Sequence, residues 1–155
     1  SVVQIVGEFE DKLNAADLTL LIQKPETPVY VMADGRHFWR VIDNLMNNIC
    51  KYAQPGTRVY VDLRENGGQV ELIFRNTSRY PLNISSEELM ERFVRGDESR
   101  NTEGSGLGIS IAKSLMELMG GSFMLYVDGD LFKVVLGFAQ MEEEKEPLDE
   151  DKSGK

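Results

Sequence analysis

The chain has 155 residues, of which 41% are hydrophobic and 28% are charged. This composition is typical of one soluble globular domain that is long enough to bury a core. No apolar run approaches the roughly 18 residues that would predict a transmembrane helix. The net charge of −9 argues against a basic face that binds nucleic acid. Cys50 is the single cysteine, which excludes an internal disulfide and agrees with a reducing, cytoplasmic compartment.

The first third of the chain predicts two helices and two strands. Apolar residues recur with helical spacing over about 2–16. Short apolar runs then predict strands at 18–23 and 29–33, separated by a turn that contains two prolines. A long helix is predicted over about 34–53, with Asp34 as its N-cap.

The remainder of the chain predicts hairpins alternating with helices. An Asn-Gly-Gly turn at 66–68 and a Gly-Asp pair at 129–130 each stand between two strand-like runs. A short helix is predicted over 85–93, a polar surface loop over 94–104, and another helix over 106–119. Helices and antiparallel hairpins that interleave in this way favour a two-layer α/β sandwich with a mixed sheet.

Residues 141–155 have a composition of their own. They hold seven acidic residues and three lysines, with almost no apolar side chains. Such a segment has too little apolar surface to offset the entropy of ordering, so the sequence predicts an acidic, disordered tail.

The polar face of the 34–53 helix carries three asparagines, Asn44, Asn47 and Asn48, within five residues. Each costs about 0.6 kcal/mol relative to alanine inside a helix, so a plain solvated face would more cheaply use other polar residues. Amide oxygens four residues apart point together, and neutral oxygens suit Mg²⁺ when phosphates supply its other ligands. Lys51, one turn further on, adds a charge that suits phosphate. The alternative is an accidental polar face.

A glycine-rich stretch, GSGLG at 104–108, comes directly before the last predicted helix. It is neither a Walker A loop nor a G-x-G-x-x-G fingerprint. Its backbone N–H groups and the positive end of the helix would nevertheless attract an anion. The loop is therefore either a phosphate site that complements the asparagines or only a flexible turn.

Three segments together resemble the sensor histidine kinases. DNLMNNICKYA at 43–53 resembles their N box, ERFVRGDESR at 91–100 their F box and the start of the ATP lid, and GSGLGISIAKSLMELMGG at 104–121 their G2 box. The resemblance covers roughly residues 18–138 in order and spacing. It implies the Bergerat ATP-binding fold, a mixed and mostly antiparallel sheet packed on about three helices, with an ATP lid.

The resemblance also implies an ATP·Mg²⁺ site on the long helix. By position, Asn48 is the expected Mg²⁺ ligand, with Asn44 beside it. Lys51 would contact phosphate, and Tyr52 the nucleotide.

The glycine-rich loop and the lid complete the implied site. The loop would let the backbone approach the triphosphate, and Arg95 or Arg100 in the lid would reach the γ-phosphate. The loop residues expected to bind ATP are Gly104, Ser105, Gly106, Leu107 and Gly108.

The chain departs from the family pattern at the D-x-G-x-G box. Asn76 stands where the aspartate is expected, and Ser78 and Tyr80 occupy the glycine places. Asn76 keeps one acceptor oxygen with which adenine can still be recognised, but the charge is absent. The alternative is that this segment has drifted and touches no nucleotide.

The phosphoacceptor box of the family is also missing. His37 is the single histidine, and it lacks the H-E-x-x-x-P context of that box. The resemblance therefore implies a catalytic domain over 18–140 that phosphorylates a histidine elsewhere, with residues 1–17 as the end of a dimerisation helix or a linker.

The implied partners are that histidine-bearing dimerisation domain and a response regulator, and the implied parent is a membrane-bound bacterial sensor. One alternative is a nucleotide-sensing or partner-binding module that has lost phosphotransfer. A gyrase-like or MutL-like ATPase is disfavoured by the kinase-like ERFVRGDESR segment and by the small size of the chain.

Overall fold

The computed structural model describes residues 1–99 and 108–142. Within them, six strands form one sheet, and five helical segments pack against one of its faces. In chain order, the elements are α1 Val2–Gly7, α2 Glu10–Ala15, β1 Leu18–Gln23, β2 Tyr30–Val31, α3 Gly35–Tyr52, β3 Thr57–Asn66, β4 Gln69–Thr77, α4 Ser86–Ser99, α5 Gly108–Leu118, β5 Ser122–Asp128 and β6 Leu131–Met141.

The sheet is mixed and mostly antiparallel. Its main path runs β1–β3–β4–β6, with β5 paired along β6 and the two-residue β2 paired to the last residues of β6. Among the described strands, only β1 and β3 pair in parallel, from Leu18 opposite Thr57 to Gln23 opposite Asp62. The predicted two-layer sandwich with a mixed sheet is confirmed.

Both predicted hairpins are present, and glycines make their turns. Gly67 and Gly68 have φ values of 57° and 82°, and Gly129 has a φ of 59°. Because glycine has no Cβ, it adopts these left-handed angles without the steric cost that other residues meet.

The core lies between the sheet and α3. The buried apolar stripe of this helix contains Phe38, Val41, Ile42, Leu45, Met46 and Ile49, as the spacing predicts. Alternate residues of the strands pack against it, including Leu72 and Phe74 of β4 and Leu136 of β6. Asn48 is the polar member of the buried residues of α3, so this helix turns one amide away from solvent.

Several predicted bounds are wrong. The single helix expected over 2–16 is two helices, because the turn after Gly7 allows Phe9 to reach the core, where it is only 6% exposed. The strand expected at 29–33 is reduced to Tyr30–Val31; Pro28 just before it has no N–H to donate to a ladder. The loop expected over 94–104 is wrong in its first part, because α4 continues to Ser99.

Three of the first 17 residues belong to the packed core. Val6 and Leu13 are buried with Phe9 in the main hydrophobic cluster, and α1 and α2 contact α3. The assignment of this segment as the end of a dimerisation helix or a linker stays a prediction.

The long helix begins at the N-cap that the sequence predicts. Asp34 Oδ1 accepts hydrogen bonds from the backbone N–H of Arg36 at 2.9 Å and of His37 at 3.1 Å. These bonds, that from His37 foremost, lower the pKa of the Asp34 carboxyl below its ordinary value. Because the pKa of Asp34 is lower in the folded state, its ionised carboxyl stabilises the fold at pH values above the unfolded-state pKa. This contribution is lost as the pH falls through the folded-state pKa.

We therefore expect Asp34→Ala to lower the urea midpoint at neutral pH, and to lower it less in acid. The check is urea unfolding of the parent and the variant at about pH 7 and about pH 3. A difference between the two proteins that is the same at both pH values would contradict a cap that depends on the carboxylate charge.

Candidate functional site

A cavity of about 300 Å³ lies between α3, α4 and the sheet. This volume is at the lower end of the range for small-molecule sites. Three residues proposed from the sequence, Asn48, Tyr52 and Asn76, line it together. The complete lining is Asn48, Tyr52, Asn76, Ser78, Tyr80, Leu82, Leu89, Arg92, Phe93 and Phe132.

The asparagines of α3 are placed by helical geometry. Asn44, Asn48 and Tyr52 stand at successive turns of the helix, so they follow one line along its surface. At 1.5 Å of rise per residue, the line is about 12 Å long. Asn48 is only 3% exposed and lines the cavity, so its amide lies in the buried part of the cavity wall.

The first residue of α5 packs directly on Asn44. A Cβ atom built on Gly108 would lie 2.5 Å from Asn44 Oδ1 and 2.8 Å from its Cγ, closer than side chains approach each other. A side chain at position 108 would therefore force either α5 or Asn44 to shift. The start of α5, with its N–H groups, lies one helical turn along α3 from Asn48.

Asn44 also carries an unsatisfied polar atom. Its Nδ2 is buried and has no hydrogen-bond partner among the residues that the structure describes. Buried donors are nearly always paired in folded proteins. This N–H is therefore a group that a bound acceptor would satisfy.

The segment that follows β4 forms a fixed wall of the cavity. The backbone N–H of Ser78 donates to the carbonyl of Asp130 at 2.7 Å, and that of Arg79 donates to the carbonyl of Tyr52 at 2.8 Å. These bonds tie the segment to the β5–β6 turn and to the end of α3. Asn76, at the end of β4, is 5% exposed and pairs in register with Phe132 of β6.

Two predicted phosphate contacts lie outside the cavity lining. Lys51 is exposed, and its Nζ stands 5.4 Å from the centre of the Tyr52 ring. Arg95 is exposed on α4. Arg100 and the loop residues 104–107 lie outside the described part of the chain.

Sequence reasoning missed the contribution of α4 to the site. Leu89, Arg92 and Phe93 stand at spacings of three and four, so they share one face of the helix, and all three line the cavity. Arg92 also forms an ion pair with Glu88 at 3.3 Å. The helical spacing within the predicted 85–93 helix was the signal that could have found them.

The described residues contain no cluster of three or more His, Cys, Asp or Glu side chains able to hold a metal ion. Nor does any helix in this part of the chain have the length and apolar character to span a membrane.

Comparison with known proteins identifies the class. Residues 33–147 match the family of histidine kinase-, DNA gyrase B- and HSP90-like ATPases. The match covers most of the chain, so the chain belongs to this family, and the resemblance seen in its motifs is confirmed.

Curated relatives include bacterial sensor kinases. The chain is 29% identical over 143 residues to the probable sensor kinase SilS of Salmonella typhimurium, which covers 90% of this chain and 29% of that protein. It is 34% identical over 110 residues to the probable sensor protein PcoS of Escherichia coli, and this match covers 68% of this chain and 24% of that protein. The chain therefore spans less than a third of the length of either relative.

A solved structure supports the fold. The catalytic domain of histidine kinase ThkA matches this chain with a TM-score of 0.72 at 20% identity, over 88% of each chain. The predicted Bergerat-type architecture is thereby confirmed as a fold.

Proposed function

We propose that this chain is the ATP·Mg²⁺-binding catalytic domain of a two-component sensor histidine kinase. It transfers the γ-phosphoryl group to a histidine on a dimerisation domain. The observation that carries the proposal is the line of polar side chains along α3. The line begins at Asn44, on which Gly108 packs, and continues through Asn48 to Tyr52. Asn48 and Tyr52 line the same cavity as Asn76.

The two ends of this line suit the two ends of a nucleotide. The cavity has apolar walls from Leu89, Phe93 and Phe132, between which a flat base can lie, and Asn76 offers it a polar edge. The other end has the N–H groups of α5 and Asn44 Nδ2, which has no partner among the described residues; both suit phosphate oxygens. We therefore place the base in the cavity and the triphosphate towards α5.

The asparagines fit a magnesium ion that is bound together with the nucleotide. Mg²⁺ takes few protein ligands when phosphates and water supply the rest, so the amide oxygen of Asn48, with Asn44 beside it, is sufficient. Bound there, Mg²⁺ would neutralise charge on the phosphates. Asn44 Nδ2 would donate a hydrogen bond to a phosphate oxygen.

The remaining predicted contacts are proposed for the phosphate groups. Lys51 adds positive charge near the cavity, and Arg95 and Arg100 are proposed for the γ-phosphate. The loop residues proposed for the triphosphate are Gly104, Ser105, Gly106, Leu107 and Gly108. Because phosphoryl transfer depends mostly on positioning and charge neutralisation, we name no general base in this chain.

The partners follow from the family. We propose a histidine-bearing dimerisation domain and a response regulator as the two protein partners. The parent protein is proposed to be a bacterial membrane-bound sensor that holds this domain in the cytoplasm, with residues 141–155 as an acidic tail. No role in nucleic-acid binding is proposed, since the net charge is −9.

One observation favours a second candidate. Asn76 and Ser78 replace the aspartate and a glycine of the family box, and both line the cavity. A nucleotide-sensing module that binds ATP without transferring phosphate would tolerate this change.

Phosphotransfer separates the two candidates. We expect that γ-labelled ATP with Mg²⁺ gives acid-labile label on the parent kinase's dimerisation domain when that domain is added, and none on this chain alone. Label on His37 would contradict the assignment. ATP binding without label on the added domain would favour the sensing module.

A further inference from the structure

The wall of the cavity that would face a base carries no negative charge. Among the described residues that line the cavity there is no aspartate or glutamate, and the positive charge of Arg92 is paired with Glu88 at 3.3 Å. The polar groups at this wall are the Asn76 amide and the Ser78 hydroxyl. The wall therefore does not repel a ligand edge that presents a hydrogen-bond acceptor.

Asn76 is buried but unengaged. Within residues 1–99 and 108–142, the Asn76 side-chain amide has no hydrogen-bond partner. Its nitrogen and oxygen are not among the fully buried side-chain atoms that lack a partner, so they are accessible from the cavity. The backbone around it is held by β4–β6 pairing and by the hydrogen bond of the Ser78 N–H to Asp130. No described protein group therefore fixes which end of the amide faces the bound molecule.

An amide differs from a carboxylate in what it can pair with. A carboxylate only accepts hydrogen bonds, whereas an asparagine offers one accepting oxygen and two N–H donors. Against a 6-aminopurine, Oδ1 accepts from the N6 amino group and Nδ2 donates to N1. Against a 6-oxopurine, Nδ2 donates to O6 and Oδ1 accepts from N1–H. The second arrangement needs only a half-turn of the amide about its last side-chain bond.

The Ser78 hydroxyl has the same versatility. Its oxygen accepts a hydrogen bond from the backbone N–H of Tyr80 at 3.2 Å, and its own proton can turn to donate. Ser78 is 7% exposed, so it stands in the wall beside Asn76 and opposes neither kind of edge.

We infer that this cavity does not discriminate between the 6-amino and the 6-oxo group of a purine nucleotide. It takes inosine triphosphate about as well as ATP. The inference rests on the proposed nucleotide site and names its base specificity. Asn76 is the residue that determines it.

The test is calorimetric titration of the parent and Asn76→Asp with ATP and with inosine triphosphate, each with Mg²⁺. Inosine triphosphate differs from ATP at the 6-position and carries no 2-amino group, so it adds no bulk. Asn14→Asp is the charge-matched control, because Asn14 is exposed on α2.

We expect the two dissociation constants of the parent to agree within about threefold, which is less than one unpaired buried group would cost. In Asn76→Asp one carboxylate oxygen would oppose an acceptor of either base, O6 of inosine triphosphate or N1 of ATP, and the other would accept from N1–H or from the N6 amino group. Both nucleotides should therefore bind this variant more weakly than the parent, by about tenfold. Asn14→Asp should behave like the parent.

A wrong inference on base specificity can be distinguished from a wrong assignment of the nucleotide site. If the parent binds ATP but binds inosine triphosphate more than about tenfold more weakly, the inference on specificity is wrong and the nucleotide site stands. Parental affinity of Asn76→Asp for both nucleotides would also overturn it, because Asn76 would not face the base. If neither nucleotide binds to the folded parent, the proposed function fails and takes this inference with it.

Discussion

Asn48→Ala should bind ATP·Mg²⁺ at least about tenfold more weakly than the parent, since a buried group that pairs with a charged partner contributes more than a neutral one. Asn48 is buried, faces the cavity and stands one turn from the packing of α5 on Asn44. Alanine removes its amide oxygen while it favours the helix, so the fold should be retained.

Asn47→Ala is the matched control. It removes the same amide one residue earlier, but Asn47 Oδ1 accepts a hydrogen bond from Lys12 Nζ on α2 and is turned away from the cavity. Calorimetry in the presence of Mg²⁺ should therefore give nearly parental affinity for Asn47→Ala. Parental affinity for Asn48→Ala, with circular dichroism showing a folded protein, would remove Asn48 from the site.

Gly108→Ala should weaken both nucleotide binding and the fold. The added methyl group would lie 2.5 Å from Asn44 Oδ1 and 2.9 Å from Asn44 Cβ, so either α5 or Asn44 must shift. Overpacking of this kind lowers the free energy of unfolding by about 1–3 kcal/mol. Because the shift moves the start of α5 relative to Asn44 and Asn48, we expect ATP affinity to fall about tenfold as well.

Gly35→Ala provides the control for Gly108→Ala. Gly35 is likewise the first residue of its helix, but a Cβ built on it meets no atom within 4 Å. The same substitution there should raise the free energy of unfolding by about 0.4–1 kcal/mol, since alanine restricts the unfolded chain. Urea unfolding and ATP titration of both variants make the comparison. Equal behaviour of the two variants would mean that the contact with Asn44 has no consequence.

Local patterns predicted much of the fold. The apolar stripe of α3, its N-cap at Asp34 and the glycine turns of both hairpins depend on residues close in sequence, so spacing and turn chemistry were enough. The break after Gly7 depends on the core position that Phe9 takes, and no local pattern shows it. The extension of α4 to Ser99 was missed because the sequence after Val94 is mostly polar and charged and has no apolar period.

The candidate site could likewise be predicted only in part from the sequence. Motifs indicated Asn48, Tyr52 and Asn76, and the structure places them around one cavity. The contact of Gly108 with Asn44 joins two helices that are far apart in sequence, so only the tertiary structure reveals why a side chain is excluded there. Arg92 was overlooked because the motif drew attention to Arg95, whereas helical spacing directs Arg92 to the cavity.

The most direct test of the proposed nucleotide site is a nuclear magnetic resonance titration that follows the side-chain amides of the asparagines. A non-hydrolysable ATP analogue is added with Mg²⁺, and the Asn44, Asn48 and Asn76 signals are compared with those of Asn47 and Asn66, which bond to Lys12 and Glu71. We predict that the first three signals shift together with one saturation curve while the other two change little. Saturable binding that leaves the Asn48 and Asn76 amides unshifted would contradict a nucleotide bound along α3 with its base in the cavity.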